Sequence, residues 1–169
     1  MKYLAAIMAL ASAGCGYHVS GHADLLPSTI KTIAIPAVAN VTNRYKLSDR
    51  LASALTREFI SRTRYQVVTD PSQADAILRA VVVNYFSYPV VVDQKTGRAN
   101  SVQLSAFLQV NLTERATGKV LFTRPSMEVR QRYEISVDQL QYFEESDMAL
   151  DRVSREVARS VVGAILEAF

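Results

Sequence analysis

The chain has 169 residues, 49% of them apolar and 21% charged, with a formal net charge of +3. That size and balance suit one domain with a real core. They lack the basic stripe that nucleic-acid binding demands, so nucleic acid is excluded as a partner.

Lys2 precedes an apolar run from Tyr3 to Ala13, and the small residues Ala11, Ser12, Ala13 and Gly14 lead into Cys15. A charged start, an apolar middle and small residues before a cleavage point make a secretory signal. A cysteine directly after them makes it a lipoprotein signal, cut before Cys15, which then carries the lipid. Residues 1–14 are expected to be removed, leaving 155 residues and a charge of +2. Ser12 stands where such signals usually carry an aliphatic residue, so a plain secretory signal with a stray cysteine is the alternative. The run is too short to span a bilayer, which takes about 20 apolar residues. Cys15 is the single cysteine, so no internal disulfide can form. Multiple acyl chains would hold the product firmly at a membrane surface. The expected organisation is a cleaved signal at 1–14, a lipidated tether at 15–28, and one domain at 29–169.

Within the domain, Thr32-Ile33-Ala34-Ile35-Pro36 is a short buried strand ended by proline. Asn40, Thr42 and Asn43 make a polar connection. Leu47, Leu51, Leu55, Phe59 and Ile60 then recur at helical spacing, predicting an amphipathic helix of about four turns. Tyr65 to Val68 is a second strand, stopped by Asp70-Pro71, and Ser72 to Asp75 form a helical turn. A third strand runs from Ala76 to Tyr88; Ala80 to Val83 are apolar on both parities, which marks a central strand, and Pro89 breaks or bends it. Lys95-Thr96-Gly97-Arg98 is a hairpin turn. The fourth strand alternates: Val102, Leu104, Ala106, Leu108, Val110 and Leu112 are apolar, with Phe107 the one exception among polar residues between. Ala116 to Lys119 close a second hairpin. In the fifth strand Val120 and Phe122 share one parity and Met127, Val129 and Tyr133 the other, so a bulge near Pro125 is needed to keep one inward face. After a loop holding Tyr142 and Phe143, Ser146 caps a last helix with the stripe Leu150, Val153, Val157, Val161 and Ile165, and Phe169 at its end. The fold class is α+β: a two-layer sandwich with a mixed, mostly antiparallel sheet of four to five strands and both helices on one face.

Nothing in the chain spells catalysis. No glycine-rich phosphate loop or nucleophile elbow is present. His18 and His22 stand i, i+4 in the tether without a carboxylate–histidine cluster, so solvated polar residues are the better account than a metal site. Neither an enzyme nor a cofactor beyond the lipid on Cys15 is expected. Lys95, Arg98, Lys119, Arg124, Arg130 and Arg132 gather at strand ends and on the last strand. They read either as charges that keep a sheet edge from pairing or as contacts for anionic lipid phosphates, to which the arginine fork is suited.

An ordered set of segments carries a family resemblance. These are Cys15-Gly16-Tyr17-His18, Ile30 to Pro36 with Asn40 and Thr42 after it, Arg64 to Val68, Ala74 to Arg79, Thr117 to Phe122, Glu156 to Arg159, and Ile165 to Phe169. Together they resemble the LptE family of lipopolysaccharide-assembly lipoproteins; Val38 and Ser12 depart from its pattern. The resemblance implies a non-enzymatic lipoprotein on the periplasmic face of the outer membrane. It would sit within an LptD-like β-barrel partner, help that barrel assemble, and assist lipopolysaccharide delivery. Gly16, in place of the aspartate that retains lipoproteins in the inner membrane, agrees with outer-membrane sorting. The alternative is a CsgG-like periplasmic lipoprotein of a secretion or polysaccharide-export complex, which shares the strand–helix opening and the Ala-Asp-Ala strand.

Overall fold

The computed structural model describes residues 26–42, 45–95, 97, 99–134 and 139–169, without the side chains of residues 45 and 139–147. Cys15, His18, His22, Asn43, Thr96 and Arg98, with the side chains of Tyr142 and Phe143, lie outside the described residues. In chain order the elements are β1 (Thr32–Ala34), β2 (Ala39–Asn40), α1 (Tyr45–Arg62), β3 (Gln66–Val68), a 3-10 turn (Pro71–Gln73), β4 (Ala76–Val92), β5 (Ala99–Glu114), β6 (Val120–Glu134) and α2 (Gln139–Leu166). They form one six-stranded sheet in the order β3-β1-β4-β5-β6, with β2 also paired to β4. β1 and β2 run parallel to their neighbours, while β4, β5 and β6 form an antiparallel meander. This is the expected mixed α+β layer with one strand more than expected.

The extra strand is β2, at the segment read from sequence as a polar connection. Two residues suffice there because Val41 donates its N–H to the Val82 carbonyl at 3.1 Å, and Asn40 Oδ1 accepts the Thr42 N–H at 2.8 Å. The turn after β3 is a 3-10 turn capped by Asp70, whose carboxylate accepts the N–H and the hydroxyl of Ser72.

The core follows the alternation of β5. Val102, Leu104, Ala106, Leu108, Val110 and Leu112 are all buried, together with Leu47, Leu51, Ala54, Leu55 and Phe59 of α1 and Val153, Val157, Val161 and Ile165 of α2. Ile30 joins the same core, and so does Leu26 from within the segment assigned to the tether. Ile60 was expected on the stripe of α1 but is 60% exposed. One residue past Phe59 is a rotation of about 100°, which carries it off the buried face. The last helix starts at Gln139 rather than after Ser146. No proline or glycine interrupts Gln139 to Val162, so nothing in the sequence keeps the helix from starting before Ser146.

Two of the register shifts along the meander set which side chains of the far halves of β4 and β6 face the helices. Val110 pairs with Arg124 and Leu108 with Met127, so Pro125 and Ser126 oppose the single residue Gln109. This is the expected bulge near Pro125, and it places Phe122 and Val129 inward on opposite parities. In β4, Val82 pairs with Leu108 and Asn84 with Phe107, which leaves Val83 as the extra residue. β4 also runs through Pro89 to Val92, with register shifts on the far side of Pro89. A proline is tolerated there because that stretch is a sheet edge. Both hairpins turn on glycines with positive φ, Gly97 at 67° and Gly118 at 72°, so the chain needs a residue without a Cβ at each.

A small polar clasp joins the parallel and antiparallel parts of the sheet. Asp75 Oδ2 accepts the N–H groups of Lys31 and Thr32 and the Thr32 hydroxyl, each at 2.9 Å. Arg115 Nε donates to the Ala74 carbonyl beside it. The Lys31 and Thr32 donors hold the Asp75 carboxyl below its ordinary value of 3.8. A carboxyl lowered by folding adds stability that is present above its unfolded pKa and lost as pH falls through its folded one. Asp75→Ala is expected to cost about 1–2 kcal/mol at neutral pH, because the clasp is half open to water. The melting-temperature gap to the parent should narrow below about pH 4. Deleting Ser126 should be far worse. It removes the bulge and turns Glu128 and Arg130 toward the helices, so no cooperative melting transition is expected by circular dichroism.

Candidate functional site

Because β5 buries one parity, its other parity faces away from the helices. Register carries that outer face across the meander in rows: Asn84, Phe107 and Glu128; Phe86, Ser105 and Arg130; Tyr88, Gln103 and Arg132. Among the described residues no helix covers this face; α2 packs on β5 and β6 from the core side. The β4 side of the face is aromatic, with Phe86 edge-on to Phe107 at 5.8 Å between ring centroids. The Tyr88 hydroxyl accepts from Gln103 Nε2 at 2.6 Å. The β6 side is charged.

The two serines of β5 explain how the charges lie flat. Ser101 and Ser105 are only 5% and 3% exposed although they belong to the outer face, because longer side chains cover them. Arg132 Nε donates to Ser101 Oγ at 2.8 Å. Arg130 donates twice to Glu128, Nε to Oε1 at 2.7 Å and Nη2 to Oε2 at 2.8 Å. That fork holds the Glu128 carboxyl below the usual carboxylate range, with the Ser105 hydroxyl a smaller donor. The Glu128 carboxylate in turn raises the Arg130 pKa.

The six basic residues singled out from sequence do not form one cluster. Arg130 and Arg132 share the outer face near the far end of the meander, and Lys95 sits in the β4–β5 turn at that same end. Arg98 of the same turn lies outside the described residues. Lys119 belongs to the opposite hairpin, roughly 40 Å away along β6 at 3.3 Å per residue. Arg124 pairs with the inward residue Val110 and lies over the Phe122 ring, 6.0 Å from its centroid, so it belongs to the core-side face. Since β6 is an outer strand, its charges also suit the edge-protecting reading.

One residue missed from sequence is Arg152. A cleft of about 510 Å³ at the end of β6 is lined by Ser101, Arg132, Tyr133, Glu134, Met148 and Arg152. The cleft wall thus brings two arginines and one glutamate together with Met148. The signal was hidden because Arg152 is an ordinary off-stripe charge until α2 is known to pass the end of β6. Among the described residues no group of three or more histidines, cysteines or acidic residues is placed to hold a metal. If the Arg130 fork is what lowers Glu128, then Arg130→Ala should return the Glu128 carboxyl to the usual range, read by NMR pH titration. An unchanged titration would assign the shift elsewhere.

The profile of the LptE family, described as lipopolysaccharide-assembly, matches residues 30–165. Among solved structures, lipoprotein B of Nitrosomonas europaea is 17% identical with a TM-score of 0.53; the match covers 90% of this chain and 96% of that one. The rare lipoprotein B of Shewanella oneidensis is 13% identical with a TM-score of 0.51, covering 78% and 93%. A Xanthomonas campestris protein is 15% identical with a TM-score of 0.53, covering 84% and 89%. At these identities the likeness is one of fold. Among curated protein sequences none is significantly similar. The family match spans residues 30–165, most of the chain: this protein belongs to the LptE family of lipopolysaccharide-assembly proteins.

Proposed function

We propose that the chain is a non-enzymatic lipoprotein, anchored through lipid on Cys15 at the periplasmic face of the outer membrane. It binds within an LptD-like β-barrel, helps that barrel assemble, and assists delivery of lipopolysaccharide to the outer leaflet. The family match over residues 30–165 carries this reading. Two further observations support it. No described helix is long and apolar enough to cross a membrane, which fits attachment through a lipid. The far end of the meander also offers what an acylated, phosphorylated glycolipid needs: Arg132 and Arg152 in one cleft, Arg130 beside it, and aromatic and thioether surface next to the charges.

Arg124 and Lys119 stand apart from that end and are not part of the proposed contact set. Lys95 belongs to it by position, as does Arg98 from its place in the sequence. Lipopolysaccharide would lie with its phosphates at the arginines and its acyl chains toward Phe86, Phe107 and Met148.

A gentle-detergent pull-down of the tagged full-length chain from its native membranes should yield an outer-membrane β-barrel in near one-to-one ratio, identified by mass spectrometry. A homo-oligomer, or an export channel in place of the barrel, would overturn the partner assignment. For the ligand, R132E/R152E should lower binding of purified lipopolysaccharide by about tenfold or more, as expected for two charge-assisted contacts. K119E at the opposite hairpin should leave it unchanged. Equal loss in both variants would reduce the effect to general surface charge.

A further inference from the structure

The two outer edges of the meander are built in opposite ways. β6 presents Arg124, Pro125, Glu128, Arg130, Arg132 and Glu134, a run of charges and a bulge that keeps other strands from adding to it. β4 has no charged residue from Ala80 to Val92. It is paired to β1 and β2 only as far as Val82, and among the described residues no strand adds to it beyond that point. Every residue from Phe86 to Val92 is exposed, on both faces, including Phe86 at 49%, Tyr88 at 45% and Val92 at 49%. A long apolar edge of this kind is normally shortened, charged or covered. We propose that the open β4 edge from Phe86 to Val92 is a strand-docking site that takes an extended, uncharged segment of a partner protein as an additional strand of the sheet.

The chemistry of the edge selects that occupant. Backbone N–H and C=O groups along the free side need hydrogen-bond partners, and hydrocarbon supplies none, so burial in a bilayer would leave them unsatisfied at high cost. A peptide strand satisfies them and covers the apolar side chains at the same time. A second copy of this chain is a poor occupant. Seven residues make a join about 23 Å long and about 10 Å wide, well below the roughly 800 Å² per partner of a stable dimer. The segment must therefore come from a protein that grips the chain elsewhere as well. Pro89 gives the site a register: it lacks a donor, so only a partner strand with no acceptor demand at that step fits across it. The inference does not depend on lipopolysaccharide binding: it concerns backbone pairing along the strand edge, although the Phe86 side chain also borders the proposed lipid surface.

The test is a photoreactive phenylalanine analogue placed in turn at Phe86, Tyr88, Val90 and Val92 of the full-length chain in its native envelope. Cross-linked residues are then mapped by mass spectrometry. The expected result is a ladder: the four probes attach to one segment of one partner protein, at positions that move monotonically along it by about two residues per step. V91K should abolish the ladder while leaving the melting temperature unchanged, because the side chain is exposed; V92K serves the same end should V91K melt early. Adducts to lipid at Val90 and Val92, to a second copy of this chain, or scattered over unrelated segments would overturn the proposal. So would the absence of adducts, or a ladder that survives the lysine. A ladder on a partner other than a barrel would keep the docking edge and remove the barrel from the functional reading.

Discussion

Val102, Leu104, Ala106, Leu108, Val110 and Leu112 put six apolar side chains on one face of β5, and that face has to be covered. Full burial of a side chain such as Leu or Val is worth about 1.5–3 kcal/mol, against the entropy of ordering the chain that buries it. A strand at the centre of an antiparallel meander cannot cover its own face, so the cover comes from α1 and α2. These helices pack against each other, and α2 also contacts β5 and β6. The same pleat that sends these residues inward sends Ser101, Gln103, Ser105 and Phe107 outward. The open face is therefore the other half of one constraint, and its composition is free to serve a ligand or partner because the core is already satisfied behind it.

The two bulges turn that constraint into a site. Without the extra residue at Val83, Phe86 and Tyr88 would face the helices; without the extra residue at Pro125 and Ser126, so would Glu128, Arg130 and Arg132. Each bulge swaps parity at about the middle of its strand, so the half nearest β1 and β2 and the far half obey different patterns. The aromatic and charged rows exist only in the far half. A bulge here re-aims a whole set of side chains at the cost of one unpaired residue.

Much of the scaffold was legible because periodicity is set by burial. The β5 alternation, the stripes of both helices, the glycine turns and the bulge near Pro125 all stand in the sequence, since each breaks or keeps a period of 2 or 3.6. What escaped detection lacks a period. Two residues of β2 are too few to alternate, and their pairing depends on where Val81 and Val82 lie. The start of α2 escaped because Ser146 and Asp147 break the apolar spacing before Leu150. Ile60 misled because one residue off a stripe is still apolar. For the site, the charges of β6 were visible but their grouping was not. Lys119, Arg124 and Arg130 are equally basic in sequence, yet hairpin direction and the parity swap send them to one end, the core side and the outer face. Arg152 joins Arg132 only through the crossing of α2 over the end of β6.

The electrostatic state of the outer face bears on what can bind there. Arg130 is already paired with Glu128, whereas among the described residues the Arg132 side chain is held by the neutral Ser101 hydroxyl. An approaching anion thus meets the full charge of Arg132 first, and Arg130 only if its fork to Glu128 opens. That pair is exposed to water, where such ion pairs are weak and easily exchanged. Glu128 then acts as a placeholder that keeps Arg130 extended across the sheet in the geometry a doubly bonded phosphate or carboxylate would need. Under the proposed function, a first anionic group would be met by Arg132 with Arg152 in the cleft, and a second, spaced along β6, would draw Arg130 away from Glu128. That spacing along β6 would favour a ligand with two anionic groups over one with a single group.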